Sequence, residues 1–202
     1  MADIFMRYYR LTKNIQIFLI DDSFSMKRHR QEVKALFEIL AYMVKGSDPD
    51  GIELYFTVSS ERHKSKKGNT KELISILDHH RYEGDSNIRS SLKCIVQNYK
   101  DGLKIPVHRA SPWWDLRRRS AEPVRNQTVY VFTDGNWQPN SDPTEIIADL
   151  VGDLKEHKVL KEEFGIQFIS FGNDRDGLAM LERLDRGLNL PLYVSILVVM
   201  AR

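Results

Sequence analysis

The chain has 202 residues, a length that fits one compact domain, and 30 Lys and Arg residues against 28 Asp and Glu leave a formal net charge of +2. A hydrophobic content of 42% with 29% charged residues excludes a disordered or fibrous chain, and the balanced charge argues against a strongly basic nucleic-acid-binding protein. The single cysteine, Cys94, excludes an internal disulfide and a cysteine-built zinc site, which favours a reducing, cytoplasmic setting.

Short apolar segments rich in β-branched and aromatic residues recur along the chain, and such segments are typical of strands buried on both faces. They predict five strands, at residues 15–20, 52–58, 128–133, 165–171 and 191–199. The first segment is too short for a signal peptide and ends in two aspartates. The last apolar run has about half of the roughly 20 residues that a membrane-crossing helix needs. We therefore expect neither a signal peptide nor a membrane span.

Segments with helical spacing separate these strands. Apolar side chains recur on one helical face within residues 33–44, 88–99, 147–154 and 178–184. Asp142, Pro143 and Glu145 resemble the N-cap, first-turn proline and capping-box partner of the third helix. The alternation predicts a single α/β domain over residues 1–202, with its core at about 14–200. Its expected architecture is a Rossmann-like, doubly wound, mostly parallel sheet flanked by helices.

Several conspicuous residues have a plain structural interpretation. The basic segment 61–69 and the long connection 104–126, which carries two adjacent tryptophans, are predicted to be surface loops. We expect His79 and His80 to form an exposed helix end and Cys94 to be a small core residue. None of them is assigned a function.

Polar side chains follow two of the predicted strands. Asp21 comes directly after the first strand, and Asp134 comes directly after the strand at 128–133. Ligands of an open parallel sheet collect at the carboxyl ends of its strands, so both carboxylates belong to the same edge. The turn after Asp21 adds the hydroxyls of Ser23 and Ser25, and a third hydroxyl, that of Ser86, directly precedes the helix predicted to start near residue 88. Such oxygen ligands suit Mg²⁺, Mn²⁺ or Ca²⁺ and suit zinc or copper poorly.

This pattern resembles the metal-ion-dependent adhesion site of von Willebrand factor A (VWA) domains. The resemblance lies in D-x-S-x-S after the first strand, the hydroxyl of a G-x-S-N-I segment, and T-D-G after a central strand. Stretches such as FLIDDS and FGIQFISFGND are also similar to small fungal proteins built around this domain. The resemblance implies that the metal ligands are Asp21, Ser23, Ser25, Ser86 and Asp134. The serines would bind Mg²⁺ (or Mn²⁺ or Ca²⁺) directly, and the aspartates directly or through water.

The resemblance also implies a VWA fold and a protein-binding function. In that family a Glu or Asp side chain of a partner protein occupies the open position on the metal. Two features depart from the family pattern: Phe24 stands where glycine is common, and Ser86 stands where threonine is common. Ser86 keeps the hydroxyl, whereas Phe24 could crowd or cover the metal. The family's usual last helix has no obvious counterpart after residue 200, so we expect the chain to end at its final strand.

Two alternatives stay open. A Mg²⁺-dependent phosphoacceptor or phosphatase-like α/β enzyme would use Asp21, because phosphotransfer receiver domains also end their first strand in paired acids. However, the sequence assembles no catalytic set. Asp22, the only other carboxylate beside the site, is expected to cap the following helix. The other alternative is a degenerate VWA scaffold in which Phe24 blocks the ion and partners bind without metal. We expect a binding module rather than an enzyme.

Overall fold

The computed structural model describes residues 14–46, 51–65, 69–103, 126–157, 164–187 and 194–198. A six-stranded sheet forms the central layer, with the order β3-β2-β1-β4-β5-β6. The strands are β1 Ile15–Ile20, β2 Glu53–Phe56, β3 Arg62–Lys64, β4 Gln127–Thr133, β5 Phe164–Ser170 and β6 Val194–Val198. Neighbouring strands are parallel except β2 and β3, which pair antiparallel. The order reverses at β1 and β4, so these strands occupy the centre of the sheet.

Helices cover both faces of this sheet. In the described ranges the α-helices are α1 Arg30–Val44, α2 Lys71–His79, α3 Ile88–Leu103, α4 Thr144–Glu156 and α5 Arg175–Gly187. Two short 3₁₀ turns, Phe24–His29 and Pro139–Ser141, follow the central strands β1 and β4. No helix within the described part of the chain is long and apolar enough to cross a membrane.

The core consists of two apolar clusters, one on each side of the sheet. Successive side chains of a strand point to opposite faces, so Phe18 and Leu19 of β1 enter different clusters. One cluster contains buried side chains of α1 and α2, and the other contains those of α3, α4 and α5. Burying one such side chain is worth about 1.5–3 kcal/mol, and this burial explains why the strands are almost continuously apolar.

The structure confirms the predicted fold class, and β1 has the predicted bounds. It also contains a strand that the sequence prediction assigned to a loop. Arg62–Lys64 pairs with β2, and the side chains of Arg62 and Lys64 lie 3.0 and 3.1 Å from the carboxylate of buried Glu53. These ion pairs explain why so polar a segment forms the edge strand, and the loop prediction is wrong for these residues.

Two further local predictions are wrong, the capping box of Glu145 and the burial of Cys94. Oδ1 of Asp142 accepts the amide of Thr144 at 2.9 Å, as a capping residue does, but Glu145 pairs with Arg89 instead of closing a capping box. Cys94 is exposed because the buried face of α3 lies elsewhere. The predictions for residues 104–125 and for the chain beyond residue 198 lie outside the described residues.

Candidate metal centre

The candidate centre lies at the carboxyl ends of β1 and β4, the two adjacent central strands. In their parallel register Ile20 lies opposite Phe132, and the next amide, that of Asp21, donates to the carbonyl of Phe132 across 2.9 Å. The chain leaves these strands toward opposite sides of the sheet, and such a reversal creates the crevice in which α/β proteins bind ligands. Asp21 and Asp134 therefore follow neighbouring strands at one edge.

Asp21 is fully buried and held by hydroxyl and amide donors. Its Oδ1 accepts from the amide of Ser23 at 3.2 Å and from Oγ1 of Thr57 at 3.3 Å, and its Oδ2 accepts from Oγ1 of Thr133 at 2.8 Å. Burial raises the pKa of Asp21, the bonds from Ser23 and Thr133 lower it, and the charge of Asp134 raises it; the net direction is upward. A cation bound here would favour the ionised carboxylate.

The two carboxylate oxygens of Asp134 differ in their hydrogen bonding. Its Oδ1 accepts from the amide of Asn136 at 3.0 Å. Its Oδ2 is buried and has no hydrogen-bond partner among the described residues, in a side chain that is 1% exposed. An unsatisfied buried acceptor costs about 1–3 kcal/mol, more when it is charged. An oxygen of this kind fits a bound cation.

The three serines lie at the same edge. Ser23 and Ser86 are buried, Ser25 is half-buried, and Oγ of Ser23 lies 3.2 Å from Oγ of Ser25. Oγ of Ser86 donates to Oγ1 of Thr57 at 3.4 Å, and the hydroxyl of that threonine in turn has two acceptors, Oδ1 of Asp21 at 3.3 Å and Oδ1 of Asp22 at 3.2 Å. The structure thus connects the loop of Ser86 to the first aspartate through a single hydroxyl.

An open cleft of about 310 Å³ brings the three motif loops together. Its lining includes Ser23, Ser25, Ser86, Asn136 and Trp137. The buried carboxylates of Asp21 and Asp134 are not among its lining residues. The five residues predicted from the sequence lie in adjoining loops at this edge, and their roles as ligands stay a prediction. Within the described ranges no three His, Cys, Asp or Glu side chains form a metal-binding group. A cation at this edge would thus need hydroxyl oxygens in addition to the two carboxylates.

Solved structures identify the fold. The SpRpn10 VWA domain is similar over 94% of this chain and 89% of that chain, with a TM-score of 0.56 and 12% identity. This chain has the VWA fold. No protein-family model matches the sequence, and no curated protein matches it.

Two larger proteins are similar at the same level. The pilus adhesin SpaC from Lactobacillus rhamnosus GG is 12% identical with a TM-score of 0.50, and the human COPII-coat protein Sec24c is 12% identical with a TM-score of 0.51. The alignments cover 92% and 95% of this chain but only 28% and 30% of the two proteins. The likeness at such identities is one of fold.

Two threonines of this VWA fold belong to the site and were not predicted. Thr57 follows β2 and bridges Asp21 and Ser86. Thr133 ends β4; its Oγ1 donates to Asp21 and accepts from the amide of Gly135 at 3.0 Å and from Nε1 of Trp137 at 2.8 Å. The available sequence signal is their position, because each is a hydroxyl residue at the carboxyl end of a strand next to β1.

Asp22 does not cap the following helix, contrary to prediction. Its Oδ1 accepts from the amide of Val58 at 2.6 Å, and its Oδ2 accepts from the amide of Ser59 at 3.2 Å and from Nε2 of His80 at 2.8 Å. Burial raises the pKa of Asp22, but these hydrogen bonds outweigh it, so the pKa is below its usual value. The hydrogen-bond donors to Asp22 thus include two amides of the loop after β2, whereas the prediction expected amides at the N-terminus of the following helix.

The prediction of an exposed helix end is confirmed for His79, the last residue of α2, but it is wrong for His80. The side chain of His80 is 9% exposed and stacks on Phe56 with ring centroids 3.6 Å apart and an angle of 6°. The carboxylate of Asp22 and the ring of Phe56 therefore fix the imidazole beside the first motif loop of the VWA fold.

Phe24, the residue that departs from the VWA glycine, lines the cleft with an outward side chain. The side chain is 67% exposed, and its own amide donates to the carbonyl of Gly84 at 3.0 Å. This backbone bond ties the turn of Ser23 to the loop of Ser86.

Proposed function

We propose that this chain is a protein-binding module that recognises its partner through a divalent cation. The proposed ligands of Mg²⁺, with Mn²⁺ or Ca²⁺ as substitutes, are Asp21, Ser23, Ser25, Ser86 and Asp134. A Glu or Asp side chain of the partner protein would supply the remaining oxygen. Two carboxylates and neutral hydroxyls suit a hard cation, and they leave it able to attract an anionic oxygen.

The observation that carries this proposal is the buried Oδ2 of Asp134, which has no hydrogen-bond partner in the described part of the chain and lies in a loop adjoining the buried carboxylate of Asp21. The charge of Asp134 and burial both raise the pKa of Asp21, so keeping the Asp21 carboxyl ionised is costly without a cation. Hydrogen bonds among the described residues also leave Oδ2 of Asp134 unsatisfied. Thr57 and Thr133 hold Asp21 in a fixed orientation, and the amide of Asn136 orients Asp134.

The burial of Asp21 supports a ligand role over a nucleophilic one. A carboxylate that attacks a phosphoryl group must reach its substrate, and Asp21 has no exposed surface. The similar proteins include a pilus adhesin and a coat protein, which is consistent with an interaction role. The outward side chain of Phe24 is compatible with a cation in the cleft.

Titration calorimetry with Mg²⁺ and Mn²⁺ tests the metal. We expect the unmodified protein to bind one cation and Asp134→Asn to lose most of that binding. Asp149→Asn, which removes an exposed carboxylate of α4, is the matched control and should bind normally. No binding by the unmodified protein, or equal binding by Asp134→Asn, would overturn the proposal.

The open position of the cation needs a separate test. Acetate serves as the smallest model of a partner carboxylate, and Mn²⁺ broadens the proton resonance of any acetate that binds to it. The methyl signal of acetate should be broader in the presence of the Mn²⁺-loaded protein than in a control sample. The control contains the Asp134→Asn variant and the same total concentration of Mn²⁺. Mn²⁺ binding without acetate broadening would contradict recognition through the metal.

A further inference from the structure

A patch of three exposed residues lies directly beside the proposed metal centre. Phe24 is 67% exposed, and the side chains of Lys27 and Arg28, one turn later in the 3₁₀ turn, are also exposed. Nζ of Lys27 lies 5.7 Å from the centroid of the Phe24 ring, within cation–π range. We call these three residues the Phe24 surface.

The Phe24 surface is continuous with the cleft of the metal centre. Phe24 and Ser25 line that cleft, and both also line a second open cleft of about 520 Å³ that contains Lys27 and Arg28. Phe24 therefore lies between a cleft with three serine hydroxyls and Asp85 and a cleft with two basic side chains and Asp174. The hydrogen bond from the Phe24 amide to the carbonyl of Gly84 fixes the backbone at this boundary, so the aromatic ring extends from a fixed position.

The charges of the second cleft favour an acidic occupant. Neither Lys27 nor Arg28 forms an ion pair with a carboxylate in the part of the chain that the structure describes; Nε of Arg28 donates to His29 at 3.0 Å. The acid of this cleft, Asp174, uses its Oδ1 to accept the amides of Asp176 and Gly177 at 3.1 and 2.9 Å. An incoming carboxylate thus meets two cations and an aspartate already engaged by backbone donors.

We propose that the partner segment carries three features: the Glu or Asp that binds the metal, an apolar residue that packs on Phe24, and a second acidic residue that pairs with Lys27 and Arg28. This inference rests on the proposed function and specifies the partner of the same site. An exposed aromatic ring gains from covering its surface, whereas the glycine common at this position in the resembling family offers no such contact. Pairing at the rim mainly adds specificity and speed of association.

A peptide series tests each feature in turn. Every labelled peptide has a central Glu in an Ala/Ser background, and the first set has no other change. Each peptide of the second set carries a single Leu at a different position beside the Glu. The third set adds one Asp to the Leu peptide that binds most tightly. Fluorescence anisotropy is measured in Mg²⁺ and in EDTA. We expect the best Leu peptide to bind roughly three- to tenfold more tightly than the Glu-only peptide, and the added Asp to contribute about two- to fivefold at low salt.

Variants assign these gains to residues. Phe24→Ala should reduce the gain from Leu, with Tyr42→Ala, another exposed aromatic, as matched control. The double variant Lys27→Glu, Arg28→Glu should remove the gain from Asp, with Lys93→Glu on the exposed side of α3 as control.

Calorimetric Mg²⁺ titration of each variant distinguishes a loss of metal binding from a loss of contacts at the Phe24 surface. If the unmodified protein binds no Mg²⁺, the proposed function and this inference both fail. If Mg²⁺ and the Glu-only peptide bind but no Leu position improves affinity, only this inference is overturned. This inference is also overturned if the added Leu and Asp still increase peptide affinity in the Phe24 and Lys27/Arg28 variants.

Discussion

His80 donates a hydrogen bond from Nε2 to Oδ2 of Asp22 across 2.8 Å, in a pair whose side chains are 9% and 2% exposed. The pair joins the end of α2 to the turn that carries Ser23. Because an ionised carboxylate is an acceptor only, the imidazole nitrogen that faces it carries the proton. The contact fixes the residue next to Asp21 from a distant part of the chain.

Asp22→Ala should lower the free energy of unfolding by about 2–4 kcal/mol in EDTA, measured by urea denaturation. The variant leaves the amide of Val58 and the imidazole of His80 without their acceptor in a buried place. Asp149→Ala removes an exposed carboxylate and should change stability by less than about 0.5 kcal/mol. An equal, small effect of both substitutions would contradict a structural role for the pair.

The contribution of Asp22 should depend on pH in a defined direction. Burial raises the pKa of Asp22. The hydrogen bonds from His80 and from the amides of Val58 and Ser59 lower it by more, so the pKa in the folded protein is below the unfolded value of about 3.9. The stabilisation is therefore complete well above pH 3.9 and is lost as pH falls through the folded pKa. The stability difference between the unmodified protein and Asp22→Ala should narrow below about pH 4; a difference that widens there would refute the linkage.

The fold was predictable because its strands are short apolar runs that need cover on both faces. Strand β3 was not predictable, because its two basic residues are stabilised by a contact between strands: buried Glu53 lies opposite Lys64 and also pairs with Arg62. The same limit applies to the site. Asp21 and Asp134 were found from a local rule, since each directly follows a strand. The contacts of His80 and Thr57 depend on β2 being the neighbour of β1, and no local pattern encodes that order.

Thr133→Val should destabilise the protein by about 1–3 kcal/mol, because it leaves the buried N–H groups of Gly135 and Trp137 without an acceptor and removes a donor from Asp21. Thr133→Ser keeps the hydroxyl and should retain much of the stability. Emission of Trp137 in a variant with Trp113 and Trp114 replaced by Phe reports the local change. A Thr133→Val protein as stable as Thr133→Ser would show that the hydroxyl is dispensable.

Asp134→Asn should separate metal binding from folding. Its lost charge no longer raises the pKa of Asp21, so in EDTA at pH 7 the variant should be at least as stable as the unmodified protein. Mg²⁺ at 100 times its dissociation constant stabilises a one-site protein by about 2.7 kcal/mol, and the variant should lack this gain. Thermal unfolding with and without Mg²⁺ measures both effects. A variant that melts far below the unmodified protein in EDTA would mean that Asp134 is needed for folding itself.

Two glycines provide the last comparison, because one lies against the metal-centre loop and the other faces open space. A Cβ at Gly177 in α5 would lie 2.1 Å from the backbone oxygen of Asp134, whereas a Cβ at Gly152 in α4 would meet nothing within 4 Å. Gly177→Ala must displace backbone and should cost about 1–3 kcal/mol. It should also weaken Mg²⁺ binding, since the displaced loop carries Asp134.

Gly152→Ala should instead stabilise the helix by up to about 1 kcal/mol and leave Mg²⁺ binding unchanged. Both variants add one methyl group to a helix, so their difference isolates the contact with the loop. Urea denaturation and Mg²⁺ calorimetry on the pair measure the two effects. Equal Mg²⁺ affinity in both variants would indicate that the position of the Asp134 loop is not set by its packing against α5.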